Sequence, residues 1–331
     1  GGGYLNIAIE LADEFLDKDK LIVYTEGNKQ PRDEAKSTVK GNFEEGRLVI
    51  MVDESSASAS EILSGAVQDW DRGVVVGRRT FGKGLVQKPI PMPDGSMIRL
   101  TVARYYTPTG RSIQKHYENG KLEDYQHDLI DRYNRGELMS ADSIHFPDSM
   151  KYNTLETKRI VYGGGGIMPD IFIPRDTSGI TTYFTSIVNS GTLYLYVLEY
   201  SDQNREKLSS FKTYQDLYKY LQSQPLLYDF TNFAASKGIK KRPNLINISG
   251  KLIENQLQAY IVRNFFDEAG FYPIFLKDDP TLLRAIQIIN EGKSIPTLEK
   301  KDADKGIAGI QATTPKIHSL AKELVREDYT A

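Results

Sequence analysis

The chain has 331 residues, of which 40% are hydrophobic and 26% charged, with a formal net charge of -2 and no cysteine. This composition is typical of a globular protein long enough for two domains. It gives no electrostatic case for a nucleic-acid partner and excludes disulfides, thiol nucleophiles and thiolate metal sites. No apolar run approaches the ~20 residues that a membrane-spanning helix needs.

The first part of the chain alternates between helical and strand patterns. Apolar residues at helical spacing predict a helix over 4–18, and KLIVYTEG (20–27) predicts a strand. RLVIMVD (47–53) predicts a second strand, apolar on both faces as in a buried parallel sheet. A helix over 56–70 and a strand GVVVG (73–77) follow. This order predicts an α/β core built on a parallel sheet.

The next part, beyond Lys83, has a different character. Two extended segments are predicted on either side of a turn at PDG (93–95), as in a hairpin. The polar, tyrosine-rich stretch 116–157 is predicted to be an insertion with one short helix near 122–134. Strand-like sequence returns at 158–174, around a glycine run that predicts either a tight turn or a close backbone approach.

From about residue 178 the pattern becomes helical. A helix is predicted over 248–270, with Ser249 as its N-cap and Gly270 as its stop. Another is predicted over 279–292, capped by Asp279 with a proline in its first turn.

The composition shift divides the chain into two predicted domains. These are a core over 1–177, with its insertion, and a mostly α-helical C-terminal domain over 178–331. The end of the second domain, from about 293, is predicted to be a polar tail.

Lys83 lies between two glycines in GRRTFGKG (77–84), which invites a phosphate-binding interpretation. The pattern G-x-x-x-x-G-K needs a serine or threonine after the lysine to hold magnesium, and the loop must open a helix. Gly84 occupies the position directly after the lysine, and the proline-rich LVQKPIPMP stands where the helix would begin. Neither requirement is met, so the sequence argues against nucleotide binding.

The alternative is that Lys83 is a catalytic base, which requires a nucleophile. SSASASEI directly follows the strand 47–53, and a serine on a strand-to-helix turn is exposed beside the amides of the helix start. On local grounds Ser56, Ser58 and Ser60 are all eligible. The run also suits a helix cap, since serine is a preferred N-cap residue.

Five motifs in order resemble the carboxyl-terminal processing peptidases, also called tail-specific proteases. They are SSASASEILSGAVQD and VVVGRRTFGKGLVQ, together with GGYL (2–5), ARYYTPTGRSIQ (103–114) and GGGIMPDIFI (164–173). The resemblance covers about residues 1–175, apart from the insertion. It implies a serine endopeptidase with a crotonase/ClpP-like α/β core.

The resemblance assigns roles to five residues. Ser58 is the expected nucleophile, Lys83 the general base and Gln87 a residue that positions the lysine. The amides of Gly2 and Ala59 are the expected oxyanion hole. A serine hydroxyl needs a base to take its proton, and loss of solvation favours the neutral amine that can do so. This chemistry requires no metal and no cofactor.

The family also implies partners and a location. Its members cut polypeptides near their C-termini, often unfolded ones, and usually carry a PDZ domain before the core. The chain begins after the position of that domain, so it is expected to be a fragment that could lack activity. Export to the bacterial periplasm or cell envelope is the expected location. The alternative function is an inactive relative that binds polypeptides or acts as an adaptor; the oligomeric state is left open.

Other polar residues are predicted to have structural roles. Asp69 lies where the family carries an acid, but its place at a helix end favours a salt bridge over catalysis. Glu61 is interpreted as a favourable acid in the first helical turn. The histidines lie in polar segments without metal-ligand spacing and are interpreted as solvated; they are His116, His127, His145 and His318.

Overall fold

The computed structural model describes residues 1–38, 41–117 and 122–292. It contains two compact units. The first comprises residues 1–175 and the described residues from 280 onward, and the second comprises residues 176–279. The predicted polar tail and His318 lie outside the described residues.

The first unit mixes strands and helices. In chain order its elements are α1 (Leu5–Asp13), β1 (Leu21–Gly27), β2 (Gln30–Lys36), β3 (Val49–Val52), α2 (Ala59–Asp69), β4 (Val74–Gly77), β5 (Leu85–Pro91), β6 (Met97–Tyr106), α3 (Leu122–Asn134), β7 (Lys151–Asn153), β8 (Ile160–Tyr162) and β9 (Ile171–Phe172). The chain returns to this unit with α10 (Pro280–Glu291).

Two sheets organise the unit. β3, β4 and β9 form a parallel sheet in that order, with β4 in the centre. The order β2-β1-β6-β5 forms an antiparallel sheet, in which β5 and β6 are the predicted hairpin around the PDG turn. The short pair β7–β8 forms a third, two-stranded sheet. The predicted α/β class is confirmed, but β1 joins the antiparallel sheet rather than the parallel one.

Two sequence interpretations of strands were wrong. β2 was not predicted, because QPRDEAK is polar and most of its residues are exposed; antiparallel pairing with β1 holds it in place. The strand over 47–53 is not buried on both faces, because β3 is at the edge of its sheet and Met51 is 47% exposed.

Helix α2 is almost entirely enclosed. Its apolar residues Ile62 and Ala66 pack in a core with Leu16, Ile22 and Ile113. Four of its polar residues are also buried, namely Glu61, Ser64, Gln68 and Asp69. Buried polar groups need hydrogen-bond partners to offset lost hydration, so this helix must be tied to its surroundings by specific contacts.

The second unit is helical, as predicted. Its elements are α4 (Thr182–Asn189), α5 (Thr192–Gln203), α6 (Arg205–Ser209), α7 (Tyr214–Gln222), α8 (Leu226–Ser236) and α9 (Pro243–Phe275). Fully buried side chains such as Ile187, Leu217, Phe230 and Leu257 form one apolar core. No helix in the three described ranges is long and apolar enough to cross a membrane.

The predicted ends of the long helix were wrong. α9 begins at Pro243, whose fixed φ suits the first helical turn, and Ser249 is buried inside the helix, with its hydroxyl 2.7 Å from that of Thr181. The helix does not stop at Gly270: its backbone breaks at Asp267 (φ 49°, ψ -149°) and continues to Phe275.

The predicted last helix forms as α10, but it lies in the first unit. Its Ile288 packs against Val74, Val76 and Ile171 of the parallel sheet. The predicted domain over 178–331 had grouped this helix with the other helices. An amphipathic pattern shows that a helix has an apolar face, but not which core will cover that face.

Candidate active site

The candidate site forms where two neighbouring parallel strands end. The segment after β3 leads to Ser58, and the segment after β4 leads to Lys83. The two segments are joined by backbone hydrogen bonds from Arg78 N to the Val52 carbonyl (3.1 Å) and from Phe81 N to the Ser56 carbonyl (2.9 Å). The β3–β4 pairing therefore explains why residues distant in sequence meet here.

Gly77 makes this pairing possible at the end of β4. Its φ is +133°, and a Cβ at this position would lie 1.8 Å from the Val52 carbonyl oxygen. Any side chain here would therefore force the strand ends apart.

The backbone distinguishes Ser58 from the neighbouring serines. Ser58 has φ 56° and ψ -115° at the N-cap of α2, a conformation that is unfavourable for a residue with a Cβ. The Ser56 hydroxyl is part of a turn with Asp53, and the Ser60 hydroxyl donates to the Gly1 carbonyl. Strain at a strand-to-helix turn is typical of an exposed nucleophile, so the geometry favours Ser58.

Glu61 joins the Ser58 turn to the Lys83 loop. Its side chain is completely buried. Oε2 accepts hydrogen bonds from the backbone amides of Ser58 and Lys83, both at 2.8 Å. Oε1 accepts from the Thr80 hydroxyl at 2.5 Å and the Gly82 amide at 2.7 Å. One carboxylate thus fixes the backbone of both predicted catalytic residues.

Burial raises the pKa of the Glu61 carboxyl, because it penalises the charged form. The hydrogen bonds from Thr80, Lys83, Gly82 and Ser58 oppose this shift. The earlier interpretation of Glu61 as a first-turn acid was therefore incomplete. It does cap α2, but it also binds a loop that follows a different strand.

The side chains of the predicted dyad, both within the described residues, are not joined by a hydrogen bond. Lys83 is exposed, and within the described residues its ammonium makes no hydrogen bond to the Ser58 hydroxyl. Gln87 is also exposed, and its Nε2 donates to the Thr101 hydroxyl at 3.4 Å. The structure brings together the backbones of Ser58 and Lys83 but does not pair Gln87 with the lysine.

The glycines around Lys83 allow the protein's own backbone to pack closely. A Cβ at Gly82 would lie 3.0 Å from Lys115 Cβ, and one at Gly84 would lie 2.6 Å from the Gln114 amide nitrogen. A Cβ at Gly166 would lie 2.5 Å from the Thr80 carbonyl oxygen. The glycine run was predicted to form either a tight turn or a close backbone approach, and Gly166 shows the close approach.

The two predicted oxyanion residues lie beside Ser58. Ala59 is the first residue of α2, where amides have no acceptor within the helix. Gly2 is so close that a Cβ there would lie 2.9 Å from Ser58 Cβ and 2.6 Å from the Ala57 carbonyl oxygen. The structure therefore gathers Gly2, Ser58 and Ala59 at one point.

We expect Gly2→Ala to lower kcat by about 10²–10³-fold, the usual cost of losing one oxyanion donor. The added methyl group would collide with Ala57 and Ser58 and displace the Gly2 amide. Gly3→Ala is the matched control, because its Cβ would meet only the Ala59 methyl group, at 4.0 Å. Equal kcat values for the two variants would remove Gly2 from the site.

Asp69 belongs to a buried ion pair. Its Oδ1 lies 2.6 Å from Arg111 Nη2, and both side chains are at most 1% exposed. Its Oδ2 accepts from the Thr109 amide and hydroxyl at 2.9 and 2.8 Å. Arg111 also donates to Gln68 on the same helix. These contacts agree with the predicted salt-bridging role and tie down the C-terminal end of α2.

We expect Asp69→Asn to lower the free energy of unfolding by about 3 kcal/mol, because it leaves the Arg111 charge buried without its counter-ion. Urea unfolding at neutral pH measures this. Asp148→Asn is the control, since its pair with Lys151 is exposed and should matter little. A folded Asp69→Asn protein that loses activity without losing stability would instead indicate a role in catalysis.

Known proteins resemble mainly the first part of the chain. Residues 1–126 match Peptidase family S41. A carboxyl-terminal-processing protease from a Picosynechococcus species is 46% identical over 114 residues, which are 34% of this chain and 27% of that protein. The corresponding protease from Bartonella bacilliformis is 45% identical over 115 residues, which are 34% and 26% of the two chains. The chain thus spans about a quarter of each relative.

The matches to solved structures include a photosystem II D1 C-terminal processing protease. The two sequences are 38% identical, and the match covers 34% of this chain and 29% of the protease chain, with a TM-score of 0.33. Residues 183–267 match a family described as of unknown function. The match to Peptidase family S41 and the two curated relatives confirm the predicted resemblance for residues 1–126.

Proposed function

We propose that this chain contains the catalytic core of a serine endopeptidase that cuts polypeptides near their C-termini through Ser58 and Lys83. The observation that carries the proposal is the Glu61 carboxylate, which binds the backbone amides of both residues at 2.8 Å. The match of residues 1–126 to Peptidase family S41 supports the reaction class. The names of the curated relatives support the C-terminal preference.

The proposed reaction begins with proton transfer from the Ser58 hydroxyl to the neutral Lys83 amine. The Ser58 oxygen attacks the scissile carbonyl, and the Gly2 and Ala59 amides stabilise the oxyanion. The Lys83 ammonium then protonates the leaving amine as the peptide C–N bond breaks, which leaves an acyl-enzyme on Ser58. Water hydrolyses this ester, with Lys83 again accepting and returning the proton.

Because the Lys83 side chain is exposed, the substrate itself has a part in assembling the site. A bound chain that covers the Lys83 side chain would exclude water from it, and loss of solvation favours the neutral form of an amine. Catalytic hydrogen bonds are often formed only in the complex with substrate. We therefore propose that a bound polypeptide completes the Ser58–Lys83 contact. In this scheme Gln87 holds the lysine once it has turned inward.

The proposed substrates are unfolded or C-terminal polypeptide segments, and the proposed location is the bacterial cell envelope, including the periplasm. The second candidate function is polypeptide binding without cleavage. The exposed Lys83, unpaired with Ser58, is the observation that favours it.

Incubation with an unstructured polypeptide, followed by mass spectrometry of the products, tests the proposal. We expect fragments that end near the C-terminus of the substrate, and slower cleavage when that terminus carries a folded domain. A stable complex with no fragments would support the binding function instead. Fragments that form while no acyl-enzyme ester on Ser58 is detected would contradict the proposed intermediate.

A further inference from the structure

The loop that carries Lys83, residues 78–83, is anchored to helix α3. Arg132 on α3 is completely buried. Its Nη1 donates to the Thr80 carbonyl at 3.0 Å, and its Nη2 donates to the Arg79 carbonyl at 2.7 Å. A planar guanidinium can hold two adjacent acceptors at once, which an ammonium cannot do with the same geometry. Two consecutive peptide groups of the loop are therefore fixed by one side chain.

A second cation strengthens the connection. Lys115 is only 5% exposed, and its Nζ lies 4.2 Å from the ring centres of both Phe81 and Tyr125. The same ammonium donates to the Tyr125 carbonyl at 2.9 Å and to Asp128 Oδ2 at 3.1 Å. The Lys115 backbone amide donates to the Gly82 carbonyl at 2.9 Å. Lys115 therefore joins the loop, through Phe81 and Gly82, to α3, through Tyr125 and Asp128.

The two ends of the loop are held by opposite charges. The carbonyls of Arg79 and Thr80 are bound by the Arg132 guanidinium, and the amides of Gly82 and Lys83 are bound by the Glu61 carboxylate. Each buried charge thus faces the end of the peptide dipoles that carries the opposite partial charge, which lowers the cost of burying it. Removing one charge should loosen the loop at that end.

We propose that α3 is a positioning element of the candidate active site and that Arg132 is its positioning residue. This proposal depends on the proposed function, since it assigns α3 the task of fixing the backbone from which Lys83 reaches Ser58. The Lys83 side chain has no hydrogen bond to Ser58 of its own, so its reach depends on the loop backbone. Arg132 and Asp128 lie beyond residue 126, where the match to Peptidase family S41 ends.

Arg132→Lys tests the role of α3, because it keeps the charge but cannot hold both carbonyls in the same way. Asp131→Asn is the control, an exposed neighbour on the same helix. Hydrogen exchange in a peptide covering residues 78–85 reports on the loop independently of activity. We expect exchange in this peptide to quicken by about tenfold or more, as for loss of a charged hydrogen bond, while peptides of the helical unit stay unchanged.

The kinetic readout separates positioning from general stability. For the folded Arg132→Lys protein we expect kcat to fall by about tenfold with KM unchanged, since the groups that bind substrate stay in place. Exchange and kcat both equal to those of Asp131→Asn would overturn the proposal. If Arg132→Lys does not fold, Asp128→Asn decides by the same criteria, because it weakens the Lys115 contact and leaves the Arg132 side chain in place. If the unaltered protein cuts nothing, the proposed function fails, whereas the exchange result still decides whether α3 holds the loop.

Discussion

Replacing Ser58 or Lys83 by alanine is expected to lower kcat/KM for an unstructured polypeptide by on the order of 10⁴-fold or more. Ser58→Ala removes the atom that would form the acyl-enzyme, and Lys83→Ala removes the base that would activate it. Residues that act as one unit are strongly non-additive. The double variant should therefore be no slower than the slower single variant.

Lys88→Ala is the matched control for the lysine. Lys88 is exposed on β5, and its ammonium donates to the Gln30 side chain on β2. Its removal should leave kcat/KM unchanged. Circular dichroism and the urea midpoint should show that every variant is folded. Cleavage that survives Lys83→Ala, but not Ser58→Ala, would mean that another group is the base.

Glu61→Ala is expected to reduce both activity and stability. It removes the acceptor of four hydrogen bonds, which leaves the Thr80 hydroxyl and the Gly82 amide buried without it and the amides of Ser58 and Lys83 partly buried without it. Each unsatisfied buried group costs about 1–3 kcal/mol, so we expect a loss of at least about 3 kcal/mol in the free energy of unfolding. In the fraction that folds, kcat should fall by about 10²-fold or more, because displacing catalytic groups by 1 Å has an effect of that size.

Glu61→Gln provides the graded comparison. The glutamine NH₂ group takes the place of one carboxylate oxygen. We expect it to take the place of Oε1, because the Thr80 hydroxyl there can rotate and accept a hydrogen bond from the NH₂ group. The remaining oxygen would still bind the Ser58 and Lys83 amides, so this variant should retain more activity than Glu61→Ala. Urea unfolding and steady-state kinetics of both variants measure the difference. Equal activity in Glu61→Ala and the unaltered protein would show that the Ser58–Lys83 arrangement does not depend on this carboxylate.

The role of Glu61 could have been found in part from the sequence. Ser58 and Glu61 have the S-x-x-E spacing of a capping box, which predicts the contact between the carboxylate and the Ser58 amide. Nothing in that spacing indicates that the same carboxylate also binds Thr80, Gly82 and Lys83. Those contacts require β3 and β4 to be neighbours in the sheet, which is a property of the tertiary fold.

Arg132 and Lys115 were missed for a related reason. Both lie in or beside a polar stretch that resembles a solvated insertion. Charged residues are seldom fully buried unless they are paired, so composition alone predicts that they are exposed. They are buried because the carbonyls and the Phe81 ring of the Lys83 loop supply partners, and the sequence pattern does not show those partners.

The sequence by itself determined the local elements and the reaction class to be tested. Apolar runs predicted β1, β3 and β4, and helical periodicity predicted α1 and α2. Capping residues predicted α10, and the ordered motifs indicated the resemblance to the carboxyl-terminal processing peptidases. Only the tertiary structure decided which strands pair, where α10 packs, and how Glu61 and Arg132 hold the Lys83 loop. The physical reason is that periodicity reports how each segment divides apolar from polar residues. Contacts between distant segments depend on which buried groups find partners once the chain has folded.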